Sequence, residues 1–120
     1  MFIKDFKYNF KKISDSKTVL YSAERKSIIT TIRCTNISDI NIRITLEEKC
    51  SLKNPIEEAY LCYKLLLPPN QTVDLLMVTK GNSSVISEHT MLDGDGLFCY
   101  TESFSEKFSC SIIGYELLEE

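Results

Sequence analysis

The chain has 120 residues, of which 43% are apolar and 26% charged, and a formal net charge of -3. That is one domain's worth of chain, able to bury a core without metal or disulfide staples. A slightly acidic balance gives no electrostatic case for nucleic acid or an anionic membrane, and no apolar run approaches the roughly 20 residues of a membrane helix. The first segment places Phe2, Phe6, Tyr8 and Phe10 on even positions and Lys7, Asn9 and Lys11 on odd ones. Period two is the signature of a strand, because successive side chains point to opposite faces. Lysines scattered among these aromatics also argue against a secretory signal, which needs an uninterrupted apolar stretch.

"ISDSK" (13–17) reads as a turn, "TVLYSA" (18–23) as a short strand and "ERK" (24–26) as a polar turn. "SIITTIRCT" (27–35) is rich in β-branched residues and predicts a strand. "NISD" (36–39) is a turn whose Asn and Asp can bond their own backbone. In "INIRITLEE" (40–48), Ile40, Ile42, Ile44 and Leu46 are expected to face in, with Asn41, Arg43, Thr45 and Glu47 facing solvent. Pro55 breaks "KCSLKNPIEE" (49–58) into a hairpin loop. "AYLCYKLLL" (59–67) is the next strand, ended by Pro68 and Pro69, which cannot donate to a ladder. "TVDLLMV" (72–78) alternates Val73, Leu75 and Met77, and "VISEHTM" (85–91) is a weaker strand. "LDGDG" (92–96) turns the chain into "LFCYTE" (97–102), and "SFSEK" (103–107) leads to the closing strand "FSCSIIGYELLEE" (108–120). Strand starts recur about every ten residues with turn signals between them, the spacing of a sandwich or barrel. The expectation is an all-β fold: one antiparallel β-sandwich over residues 1–120, jelly-roll-like, with about eight strands. Residues 1–12 are either an N-terminal arm or an edge strand.

No constellation for catalysis stands out. His89 is the one histidine, so any histidine-based acid–base chemistry must use it. "SEHTM" carries no nucleophile signature, and a structural histidine is the expectation. "DGDG" (93–96) hints at calcium, but the chain returns at once to apolar "LFCY". A tight turn with two solvated aspartates is the better account. The pairs Glu47/Glu48 and Glu57/Glu58 are adjacent in sequence, so on a strand each pair splits between opposite faces, unlike a glycosidase pair. Arg25 and Lys26 beside Tyr21 make too small a basic patch for single-stranded nucleic acid. The cysteines, Cys34, Cys50, Cys62, Cys99 and Cys110, are odd in number and contain no CxxC. They read as reduced, structural residues in a chain made in a cytoplasm. The sequons at Asn36, Asn70 and Asn82 read as Asn-containing turns. No cofactor is expected.

The order of segments resembles the small β-sandwich structural proteins of tailed bacteriophage virions, over nearly the whole chain. "TVLYSAERKSIITTIRCTNISDINIRITLEE" follows their course from a strand ending near Tyr, through a turn, into an Ile-rich strand, a Thr-Asn turn and another apolar strand. "AYLCYKLLLPPNQTVDLL" matches their next strand, prolines and apolar strand. "MLDGDGLFCYTESFSEKFSCSIIGYELLEE" matches their ending. The cysteine content and the aromatic N-terminal stretch depart from that pattern. The resemblance implies a virion protein of the tail, baseplate, neck, fibre attachment or capsid decoration. It would be non-enzymatic, made in the host cytoplasm, homo-oligomeric in the particle, and partnered by copies of itself and other virion proteins rather than by nucleic acid or membrane. Phe2, Phe6, Tyr8 and Phe10 are the candidate assembly contacts. The runner-up is a carbohydrate- or host-receptor-binding sandwich using Tyr60, Tyr63, Tyr100 and the loops at 51–58 and 80–84. A hydrolase dependent on His89 comes third.

Overall fold

The computed structural model describes residues 2–11, 13–50, 57–76, 88–102 and 108–118, with backbone alone at residues 11 and 57–59. Among the described residues nine strands follow one another: β1 (Phe2–Lys11), β2 (Thr18–Ser22), β3 (Ser27–Asn36), β4 (Ile42–Cys50), β5 (Glu57–Leu67), β6 (Gln71–Asp74), β7 (His89–Met91), β8 (Gly96–Thr101) and β9 (Phe108–Leu118). One sheet runs β1-β9-β3-β6, with β7 also on β3; the other runs β2-β8-β4-β5. All pairings are antiparallel. If β6 and β7 are taken as two pieces of one edge strand, the connectivity is that of an eight-stranded jelly roll. That split accounts for nine strands against the eight expected.

The core lies between the sheets. Ile29, Ile32 and Ile112 from the first sheet meet Ile44, Leu46 and Leu97 from the second, all fully buried. Gly114 of β9 sits between Phe6 and Ile29 on its two neighbouring strands. A Cβ there would collide with the Ile28 carbonyl and lie 2.9 Å from the Phe6 ring. The missing side chain therefore lets Phe6 lie down across the sheet.

Three local expectations are corrected. Ile40 does not face the core; it is 49% exposed. Asn36 and Ser38 organise the preceding bend, each bonding the Ile40 carbonyl, so β4 begins only at Ile42. The outward-facing Thr45 and Glu47 are not solvated, at 3% and 1% exposure. Lys64 takes a left-handed φ of 52° in β5, where the β4–β5 register shifts, and its N–H bonds Thr45 Oγ1. The bulged edge thus folds over that face. Finally, β6 stops at Asp74. The Asp74 carboxylate accepts the Leu76 N–H at 3.1 Å and the Ile32 N–H at 3.2 Å, which turns the backbone out of the ladder and buries both Leu75 and Leu76. Met77 and the first part of "VISEHTM" lie outside the described residues.

Candidate functional site

The N-terminal stretch is an edge strand with every residue from Phe2 to Lys11 paired to β9 in unbroken register. Its four aromatics do not act alike. Phe6 is buried and stacks on Tyr21 of the opposite sheet, with centroids 4.6 Å apart, and on Tyr8 at 5.3 Å. Phe10 packs partly buried against the core. Tyr8 is 44% and Phe2 64% exposed, with Ile3 beside it at 54%. Between this edge and β2 lies an open cleft of about 410 Å³, walled by Lys4, Tyr8, Phe10, Val19, Tyr21 and Glu116. Burial raises the Tyr21 phenol above its ordinary range; its hydroxyl bonds Ser27 Oγ at 2.7 Å and Glu116 at 3.3 Å. Glu116 also meets Arg25 at 3.7 Å. The small basic patch around Arg25 is therefore partly neutralised from within the fold.

A second candidate surface is the outer face of the β2-β8-β4-β5 sheet. Tyr60 and Tyr63 of edge strand β5 are exposed and meet edge to face at 4.8 Å. Tyr100 lies on the same side, bonded through its hydroxyl to Glu47 Oε1 at 3.2 Å. Burial pushes up the Tyr100 phenol, and the Glu47 charge adds to this, bringing its pKa to about 12. Burial would raise Glu47 as well, but Lys17 Nζ at 2.9 Å and the Tyr100 hydroxyl outweigh it, so the carboxyl is held below its usual range. Lys17, Lys49 and Lys64 sit over the rings of Tyr100, Phe98 and Tyr63. The surface therefore combines aromatic rings with amphipathic lysines, a chemistry suited to stacking and hydrogen bonding.

The third cluster lies inside one end of the sandwich, and sequence reasoning missed it. Glu48 and Glu47 do point to opposite faces, as adjacent strand residues must. Glu48 points inward and is buried, with its Oε2 at 2.6 Å from His89 Nε2. His89 is thus a buried residue held by a carboxylate. Cys50 Sγ donates to Glu48 Oε1 at 3.5 Å. The donor atoms of Glu48, Cys50 and Asp95 all lie within 4.8 Å of one another. An oxygen, oxygen and sulfur set of this kind is one that a zinc-like ion can accept. No spacing in the sequence signals it, because the residues come from β4 and from the turn before β8.

The "DGDG" segment is the turn expected, with Gly94 at a φ of 94°. Its second aspartate is not solvated: Asp95 is 5% exposed and accepts the Leu92 N–H at 3.0 Å. The Asn36 amide nitrogen is likewise buried, bonding the Ile40, Leu67 and Pro68 carbonyls, so this sequon is closed to modification in the fold. Asn70 sits in an exposed turn at a φ of 59°. Asn82, Pro55, the side chains of Glu57 and Glu58 and the loop at 80–84 lie outside the described residues. Among the described residues no helix is long and apolar enough to cross a membrane. Comparison of the chain with protein-family models, curated proteins and solved structures returns no match.

Proposed function

We propose that this chain is a non-enzymatic structural component of a tailed-bacteriophage virion, docking through its β1 edge. The observation that carries the reading is the jelly-roll connectivity with β1 at its margin. A ten-residue strand, paired on one side only among the described residues, offers a row of main-chain donors and acceptors along its other side. A neighbouring segment can add to such an edge, with main-chain bonds supplying affinity and side-chain pockets supplying selectivity. The cleft beside Tyr8 and Phe10 is such a pocket. Fold alone does not carry function, since jelly rolls serve capsids, lectins and enzymes alike. The order of segments, which resembles that of small virion sandwiches, supports the first. Repetition on a symmetric particle makes weak single contacts sufficient. Mass spectrometry of gradient-purified particles from the cells that make the chain should find it at a fixed ratio to the other particle proteins. Recovery only in the particle-free fraction would overturn the proposal.

One observation favours a second reading, a carbohydrate- or receptor-binding module. Tyr60 and Tyr63 stand exposed as a pair on β5, and aromatic faces stack on sugar rings. A glycan array decides it: binding that disappears on Tyr63→Ala supports this role, and an array without binders removes it.

A further inference from the structure

Three of the cysteines meet in the core. Cys34 of β3 and Cys110 of β9 are direct partners across the antiparallel ladder. Both are buried and their sulfurs are 3.2 Å apart. Cys99 reaches the same place from β8 in the opposite sheet. Directly opposed residues of an antiparallel pair have Cα atoms about 4.5–5.5 Å apart, inside the roughly 4.4–6.8 Å window that a disulfide spans. Closure to a bond of about 2 Å requires a movement of about 1 Å. Facing sheets, by contrast, pack about 10 Å apart, beyond the roughly 7 Å limit for bridging without backbone movement. Geometry thus selects Cys34 over Cys99 as the partner of Cys110.

We propose that Cys34 and Cys110 are an oxidisable pair that closes into a cross-strand disulfide, joining β3 to β9 in the middle of the larger sheet. The oxidant is a low-molecular-weight disulfide, RSSR, of which glutathione disulfide is the usual example. The Cys110 thiolate attacks one sulfur of RSSR; the RS–SR bond breaks, and RS⁻ leaves and takes up the Cys110 proton as RSH. The Cys34 thiolate then attacks the Cys110 sulfur of the mixed disulfide. The second RS⁻ leaves and takes up the Cys34 proton. Two protein thiols lose two electrons, and one RSSR becomes two RSH. Both sulfurs are shielded in the closed fold, so the exchange runs while β9 docks on β3 or when the sheet opens locally. A particle leaving a reducing cytoplasm for an oxidising exterior would meet the conditions for closure.

The test is refolding of the full chain from denaturant in a buffer of reduced and oxidised glutathione, followed by alkylation, intact mass and peptide mapping. The expected product has lost two hydrogens, yields a Cys34–Cys110 linked peptide, and melts roughly 5–15 °C above the reduced protein. Cys99→Ala should give the same linked peptide, and Cys34→Ala should not lose the two hydrogens. A natively folded wild-type product that keeps all its thiols, or one linked through Cys50, Cys62 or Cys99 instead, would overturn the proposal. The mapping on the wild-type chain stands even if a cysteine variant fails to fold. No particle enters the assay, so its failure would leave the virion reading untouched.

Discussion

The two long edge strands, β1 and β5, solve the same problem in different ways. β1 is paired to β9 in unbroken register from Phe2 to Lys11. β5 loses register with β4 twice, between Ile44 and Leu46 and between Leu46 and Glu47, and carries Lys64 in the left-handed region. A bulge twists an edge away from potential partners, whereas a flat edge must be guarded by charge. Lys4, Asp5 and Lys7 are all exposed on β1. The difference teaches that the straight edge keeps its main chain in register for another strand, while its charges limit pairing to a strand of complementary charge. The broken edge is suited to present side chains, and Tyr60 and Tyr63 stand exposed on it.

The largest test of that contrast lies within β1 itself. Phe6→Ala removes a buried ring stacked between two others and should destabilise the fold by about 3 kcal/mol in urea titration. Phe2→Ala, at a 64% exposed position, should stay within about 0.5 kcal/mol, and under the proposed virion role it should weaken assembly into particles. Equal effects on stability would show that β1 is not divided into a packed centre and a presenting end. Gly114→Ala tests the same packing from the partner strand and should cost about 2–3 kcal/mol through overpacking.

Asn36→Ala sharpens the comparison on the β5 side. This side chain bonds the Leu67 and Pro68 carbonyls at the end of β5 as well as the β3–β4 bend. Its loss should cost about 2 kcal/mol, because buried carbonyls are left without a donor. Denaturant midpoints with an unchanged slope would check this.

Smaller effects follow from Glu47 and Tyr100. The folded state lowers the Glu47 pKa, so its contribution is present above the ordinary value of 4.5 and is lost as pH falls through the lowered value. Lys17→Ala should therefore reduce stability at pH 7 and flatten its loss on acidification. Tyr100 has the opposite sign. Its folded pKa is raised from 10.0 to about 12, so stability is retained below the ordinary value and falls as pH rises between the two. Phenolate absorbance titration should show Tyr100 and Tyr21 ionising late, and Glu47→Ala should lower the Tyr100 value only part of the way, because burial is the larger cause of its shift. The smallest change is Tyr63→Ala, expected within about 0.5 kcal/mol of wild type for an exposed side chain. An appreciably larger loss would mean that the β5 face is part of the packing rather than a presenting surface.

Much of the architecture was legible along the chain. Period-two alternation marks β1, β3, β4 and β9, and Pro68–Pro69 ends β5, because side-chain direction and missing N–H groups are local properties. Ile42, Ile44 and Leu46 face the core as their spacing demands. The same alternation misplaced Ile40 and failed for β6, where the Asp74 side chain captures the Leu76 N–H. Competition between a carboxylate and a ladder is settled by atoms several residues away.

By itself, then, the sequence determined where the strands run and which face of each is apolar, since a strand's alternation needs no partner to be read. Tertiary structure alone decided which polar faces are covered. It buried Glu47 beneath Lys17 and Tyr100, and drew Glu48 to His89 across the sandwich. It also set Cys34 against Cys110 despite 76 positions of separation. These contacts depend on strand order and register, which arise from how two apolar faces close on each other rather than from the spacing within either one.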